Sequence, residues 1–153
     1  MIKLIRTDAT NQDFINLVKQ LDAELAIRDG DEHSFYDQYN GITQIKFAIV
    51  VYEDNKPVGC GAIKEFSQEA MEIKRMFILL DLRAKGLASW ILKALERWAL
   101  DLGYSKCILE TGKKQPEAIA LYKKNAYYQI SNYGQYVGVD NSLCFEKNLL
   151  KQI

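Results

Sequence analysis

The apolar residues of this chain change rhythm several times. "IKLIRTDA" opens as a short strand. From Phe14 onward, Phe14, Leu17, Val18, Leu21 and Leu25 recur every three or four residues, which lines them along one helix face. Thr10 and Asn11 stand before that helix as caps, and Asp13 suits its positive end. "DGDEHSFYDQYNG" (29–41) is polar and aromatic without a period and predicts a loop with one short helix. "IKFAIVVYEDNKPVGCGAIKEF" reads as a hairpin, two apolar runs turned by Asp, Asn and Pro. "AMEIKRMFILL" reads as a further strand. Glu72 and Lys74 alternate with Ile73 before the run becomes apolar at Met76, so the pattern predicts exposure at its start and burial at its end.

The second half is more strongly patterned. Leu87, Ile91, Leu95, Trp98 and Leu102 make an amphipathic helix that Gly103 can stop. "SKCILETG" is a short buried strand. Pro116 opens another helix, where its missing N–H costs nothing, and that helix carries Ala118, Ile119, Leu121 and Tyr122 to about Asn125. A glycine-containing loop and a last strand, 142–147, close the pattern. Strands and helices in this order predict a mixed α/β (α+β) domain over residues 1–153, with no repeat or linker. A chain of 153 residues can bury a sizeable core.

Charge narrows the function classes. Twenty Lys and Arg balance twenty Asp and Glu, which argues against nucleic acid as a partner, because neutralising phosphates needs an excess of cations. No apolar run approaches the ~20 residues of a membrane span, and "MIKLIRTDATNQDF" lacks the apolar core of a signal peptide. Cys60, Cys107 and Cys144 are odd in number, with no CxxC or Cys/His spacing. They predict free buried thiols, a cytoplasmic location and no metal site.

The chemistry concentrates in "LLDLRAKGLASW" (79–90). A strand-like run ends, Arg83 and Lys85 flank Gly86, and a helix begins. The first N–H groups of a helix lack partners and carry partial positive charge. Gly86 admits a ligand close to the backbone, and small Ala84, Ala88 and Ser89 leave room for it. This is a candidate phosphate cradle; a capped helix with two solvated cations is the other reading of the same residues. Neither GxxxxGK[ST] nor GxGxxG with a following acid is present.

"RMFILLDLRAKGLASWILKALERWA" resembles the acetyl-CoA-binding segment of the GNAT superfamily of N-acetyltransferases. Arg83, Gly86 and Ala88 match its (Q/R)-x-x-G-x-(G/A) signature. "PEAIALYKKNAYYQI" resembles the family's A-x-x-L-Y helix, with Ala118, Leu121 and Tyr122 in register. Three positions depart from the pattern: Leu80 stands for a frequent Pro, and Ala84 and Ala126 stand for frequent glycines.

The resemblance implies a central, mostly antiparallel sheet with a splayed parallel pair, flanked by helices. It implies acetyl-CoA as co-substrate, no metal, and direct transfer to the amine of a small molecule. Arg83, Ala84, Lys85, Gly86, Leu87, Ala88 and Ser89 would hold the pyrophosphate through backbone N–H groups. Met76, Phe77 and Ile78 would pair with the pantetheine arm, and an N–H near Phe77 would polarise the thioester carbonyl. Tyr122 corresponds to the family's general acid, the alternative being a core tyrosine. Gln115 would contact the cofactor or cap its helix. Glu72 or Glu110 would serve as base, unless ordered waters do so. The lone His33 fits a solvent-exposed position or an acceptor contact better than a catalytic role. Arg28, Phe35 and Tyr36 from one segment and Tyr133 from another would line the acceptor side. An acyl-CoA-binding sensor, or acetylation of protein N-termini or lysines, are the competing readings, and a homodimer is compatible with all of them.

Overall fold

The computed structural model describes residues 1–29 and 44–150; of the first stretch, the side chains of 28 and 29 lie outside the description. Strand β1 (Ile2–Thr7) and helix α1 (Gln12–Asp29) are followed by the hairpin β2 (Phe47–Glu53) and β3 (Lys56–Glu65), then by β4 (Ala70–Ile78). Helix α2 (Leu87–Asp101), strand β5 (Lys106–Gly112), helix α3 (Pro116–Lys124), β6 (Tyr128–Ile130) and β7 (Ser142–Asn148) complete the order. Single 3-10 turns stand at Leu80–Leu82 and Gly134–Tyr136. Residues 30–41 of the predicted loop lie outside the described residues, while Asp29 closes α1.

Local chemistry accounts for the element ends. Asn11 caps α1, its Oδ1 accepting from the Phe14 N–H at 3.0 Å. The hairpin turns on Asp54 and Asn55, both at positive φ (50° and 70°), a twist that suits two-residue hairpins. Gly103 (φ 95°) ends α2 in the left-handed region.

All seven strands form one sheet in the order β1-β2-β3-β4-β5-β7-β6. Every neighbouring pair is antiparallel except β4 and β5, which run parallel. This is the mixed sheet with one parallel pair that the resemblance implied. Helix α1 covers one face through Phe14, Leu17 and Val18, packed on Ala48, Val50, Cys60 and Ala62. Helix α2 covers the other through Ile91, Leu92 and Leu95, packed on Ile49, Ile63, Met71 and Leu109. Ile91 and Leu95 are wholly buried, each contributing roughly 1.5–3 kcal/mol. Gly61 allows the close approach of α2: a Cβ there would stand 2.7 Å from Ile91 Cγ2 and from Met76 Sδ. Among the described residues, no helix is long and apolar enough to cross a membrane.

The three thiols are buried and unbonded, as expected. Burial pushes Cys60 and Cys107 up to about 12 and Cys144 up to about 11.

One expectation is corrected. β4 is buried from its first residue, Ala70 through Ile73, while Met76 is only half-buried. The reason is topological. β4 is central, with β3 on one side and β5 on the other, but β5 pairs only with Ala70, Met71 and Glu72. The start of β4 therefore has two neighbouring strands and its end has one, so Glu72 and Lys74 are interior polar residues.

Candidate active site

The β4–β5 ladder stops at the pair Glu72↔Ile108, although β4 continues to Ile78 and β5 to Gly112. Along Phe77 and Ile78, β4 keeps its pairing to Cys60 and Gly59 of β3. Its other edge opens on a cavity of about 790 Å³ between the diverging strands. A β-bulge adds to the divergence. Ala62 pairs with Lys74 and Cys60 with Phe77, so β4 carries one residue more than β3 over this stretch. Arg75, in the bulge, has φ 60°.

At the helix end of the cavity, Gly86 enters α2 at φ 87° and no side chain caps the helix. A Cβ at Gly86 would meet no atom within 4 Å, so only its backbone angle and whatever approaches from outside call for glycine. The Trp90 N–H returns to the Gly86 carbonyl at 3.2 Å. The N–H groups of Leu87, Ala88 and Ser89 belong to the first turn, which has no carbonyl upstream to accept them. The Ser89 hydroxyl accepts from Asn125 Nδ2 at 3.1 Å. Ala84 takes φ 64° and Ala126 φ 71°, so both alanines that stand for glycines are left-handed.

Met76, Phe77, Ile78, Arg83, Ala84, Gly86, Leu87, Ala88, Ser89 and Gln115 all line this cavity. Gln115 lines the cavity, and its side chain makes no cap hydrogen bond to α3. Lys85 is exposed and does not line the cavity. Arg83 lines it, but its guanidinium is engaged elsewhere. Nη1 and Nη2 donate to the two carboxylate oxygens of Glu24 at 2.9 and 2.6 Å, and Nε donates to the Ile78 carbonyl at 2.9 Å. Its role is to tie the loop to α1 and β4, and its charge is offset by Glu24.

Tyr122, Glu72 and Glu110 line the same cavity. Tyr122 is 6% exposed. Among the described residues its hydroxyl has no hydrogen-bond partner. Burial, with a smaller contribution from the Glu110 charge, raises its pKa, so the phenol stays protonated. Glu110 accepts from the Ser142 hydroxyl at 2.7 Å. Glu72 accepts from Tyr133 Oη at 2.6 Å and has Lys74 Nζ at 3.7 Å. The structure therefore puts Tyr133 behind Glu72 rather than on the cavity wall, where Tyr136 stands instead. Tyr133 packs edge-on to Phe66 and Tyr136, which fixes the ring that holds Glu72. The Arg28 side chain, His33, Phe35 and Tyr36 lie outside the described residues.

The sequence reading missed Lys74, Arg75 and Asp22. Arg75 Nη1 donates to Asp22 Oδ1 at 2.6 Å, and both cations line the cavity. The available signal was "EIKR" itself, polar residues inside an apolar strand. Taken alone, that alternation predicts exposure at the start of the strand.

The sequence model of the Acetyltransferase (GNAT) family matches residues 14–127. A protein named IAA acetyltransferase from Azospirillum brasilense is 29% identical over 151 residues, covering 97% of this chain and 98% of the relative. The crystal structure of a Klebsiella pneumoniae protein described as an acyl-CoA N-acyltransferase matches with a TM-score of 0.82 and 29% identity, over 97% of this chain and 98% of the other. A GNAT family acetyltransferase from Elizabethkingia anophelis, solved with acetyl-CoA bound, matches with a TM-score of 0.71 over 96% and 97% of the two chains. Its 16% identity makes that likeness one of fold.

Proposed function

The chain belongs to the GNAT acetyltransferase family, and on that premise we propose that it transfers acetyl from acetyl-CoA directly to the amine of a small molecule. The observation that carries this reading is one shared cavity. Among the described residues, an uncapped helix start, a strand edge without a ladder partner and a protonated tyrosine without a hydrogen-bond partner all open into it. The residues fit the donor. Gly86 leaves its upper side clear, and the β4 edge over 76–78 offers main-chain groups to an extended amide-bearing arm. Acetyl-CoA, when bound, supplies an acetyl thioester with a thiol leaving group.

The chain's own groups would then act as follows. The N–H groups from Gly86 to Ser89 hold the pyrophosphate, with the helix dipole adding to the attraction. A β4 main-chain N–H near Phe77 donates to the thioester oxygen as negative charge develops there. Tyr122 Oη donates its proton to the departing sulfur, which suits a phenol kept protonated by burial. The amine must lose a proton before it attacks. Glu110, whose charge bears on Tyr122, is the favoured acceptor of that proton, directly or through water. Glu72, held by Tyr133, orients the amine.

The test is thiol release from acetyl-CoA over a panel of small amines, with Gly86→Glu as control. Acceptor-dependent release, lost in Gly86→Glu together with coenzyme binding, is expected. Tight acetyl-CoA binding with no acceptor-dependent release would instead identify a binding module. Normal coenzyme binding by Gly86→Glu would move the pyrophosphate site elsewhere.

A further inference from the structure

Two neighbouring cations at the β4 bulge stand on the cavity wall, Arg75 buried and Lys74 half-buried. The Arg75 side chain is 4% exposed; Nη1 is taken by Asp22, and Nε is occluded with no acceptor among the described residues. The Lys74 side chain is 10% exposed, and its Nζ makes no hydrogen bond among the described residues. It is ion-paired with Glu72 Oε1 at 3.7 Å. Buried donors are nearly always satisfied, so Arg75 Nε, next to a lysine whose Nζ makes no hydrogen bond among the described residues, requires an explanation. The backbone adds a second anomaly. Arg75 holds φ 60° without being glycine, and such strain gathers where a ligand is clamped.

From this we propose that Lys74 and Arg75 form a carboxylate-binding subsite at the acceptor end of the cavity, so that the acceptor is a small amine carrying its own carboxylate, of the amino-acid kind. The inference rests on the acetyl-transfer reading and specifies its acceptor.

The chemistry is complementary. The Lys74 ammonium brings a point charge and N–H donors to the cavity wall, and the Arg75 guanidinium beside it adds a second positive charge. Glu72 and Glu110 supply the opposite charge in the same cavity, where the amine must lie to be acetylated. A zwitterion with amine and carboxylate close together meets both halves without leaving a buried charge unpaired. An amine without the carboxylate satisfies only the acidic half.

The experiment compares each protein L-amino acid with its own amide and its decarboxylated amine in the thiol-release assay. The amide also stands in for the N-terminal residue of a peptide. For the amino acids that are turned over, kcat/KM is expected to exceed that of the matched amide and amine by roughly 10- to 100-fold, the span of a hydrogen bond to a charged group. Lys74→Met should pull that ratio towards one, and Lys74→Arg should keep part of it. Equal or better turnover of the amides or amines overturns the subsite while leaving acetyl transfer intact. If no amine in any set raises thiol release, the acetyl-transfer reading fails. Calorimetric titration of N-acetyl amino acids and their amides into the CoA-saturated protein then decides the subsite alone. Preference for the carboxylates supports it, and equal binding or none overturns it.

Discussion

On the α2 face of the sheet, Glu96 accepts from Lys147 Nζ and from Tyr127 Oη, both at 2.9 Å, and all three residues are buried. On the α1 face, Glu72 and Arg75 are buried and Lys74 is half-buried, yet among the described residues Lys74 makes no hydrogen bond and Arg75 Nε has no acceptor. The first cluster is complete in itself and pins α2 to β7. The second borders the cavity and is complete only on the side facing Tyr133 and Asp22. A satisfied buried network rigidifies a core, and an unsatisfied one at a cavity wall is a place for something to bind. The same contrast recurs between two tyrosines whose ring centres lie 5.9 Å apart: Tyr127 is hydrogen-bonded to Glu96, and Tyr122 has no such partner.

The largest effect should come from breaking the complete cluster. Lys147→Met leaves Glu96 buried without its counter-ion and is expected to cost about 3–5 kcal/mol in urea unfolding, with turnover per folded molecule unchanged. If it costs under ~1 kcal/mol, the two clusters do not differ as described. Next is the tyrosine pair. Tyr122→Phe should lower turnover about 100-fold with little change in coenzyme affinity. Tyr127→Phe should leave turnover alone and cost about 1–3 kcal/mol of stability. Exchanged phenotypes would reverse the assignment.

Smaller effects separate the two left-handed alanines. Ala84→Gly and Ala126→Gly should each gain up to about 1 kcal/mol by relieving strain. Only Ala84 lines the cavity, so only its variant should also alter the KM for acetyl-CoA. The smallest expected stability change is at Lys74. Lys74→Met should fall within about 1 kcal/mol of the parent, since it removes an ammonium that lost hydration without gaining a hydrogen bond. Burial lowers the Lys74 pKa, so between its depressed value and 10.5 the folded state binds fewer protons than the unfolded chain. Its contribution to stability therefore rises with pH, and any advantage of the variant should shrink as the buffer approaches pH 10.5.

The proposed donor half was legible because its demands are backbone demands. A left-handed helix entry calls for Gly86, and close approach calls for small residues beside it, so "RAKGLA" carries its geometry in residue type. Tyr122 was legible through its register with Ala118 and Leu121. The proposed acceptor half was not, because its geometry depends on which strands are neighbours. "EIKR" reads the same on an edge strand and on a central one, and only the placement of β5 beside Ala70–Glu72 makes it interior. The bulge that turns Arg75 has no marker, since the residue at positive φ is an arginine. The Arg83–Glu24 pair joins residues 59 apart, and Tyr133 reaches Glu72 across 61, distances that no local pattern encodes.

The most direct test of the central claim is a crystal structure of the protein with coenzyme A. The pyrophosphate is predicted on the N–H groups of Gly86–Ser89, with the pantetheine arm along Met76–Ile78 and the thiol within hydrogen-bond reach of Tyr122 Oη. Coenzyme A bound outside the β4–β5 cleft, or a thiol directed away from Tyr122, would contradict it.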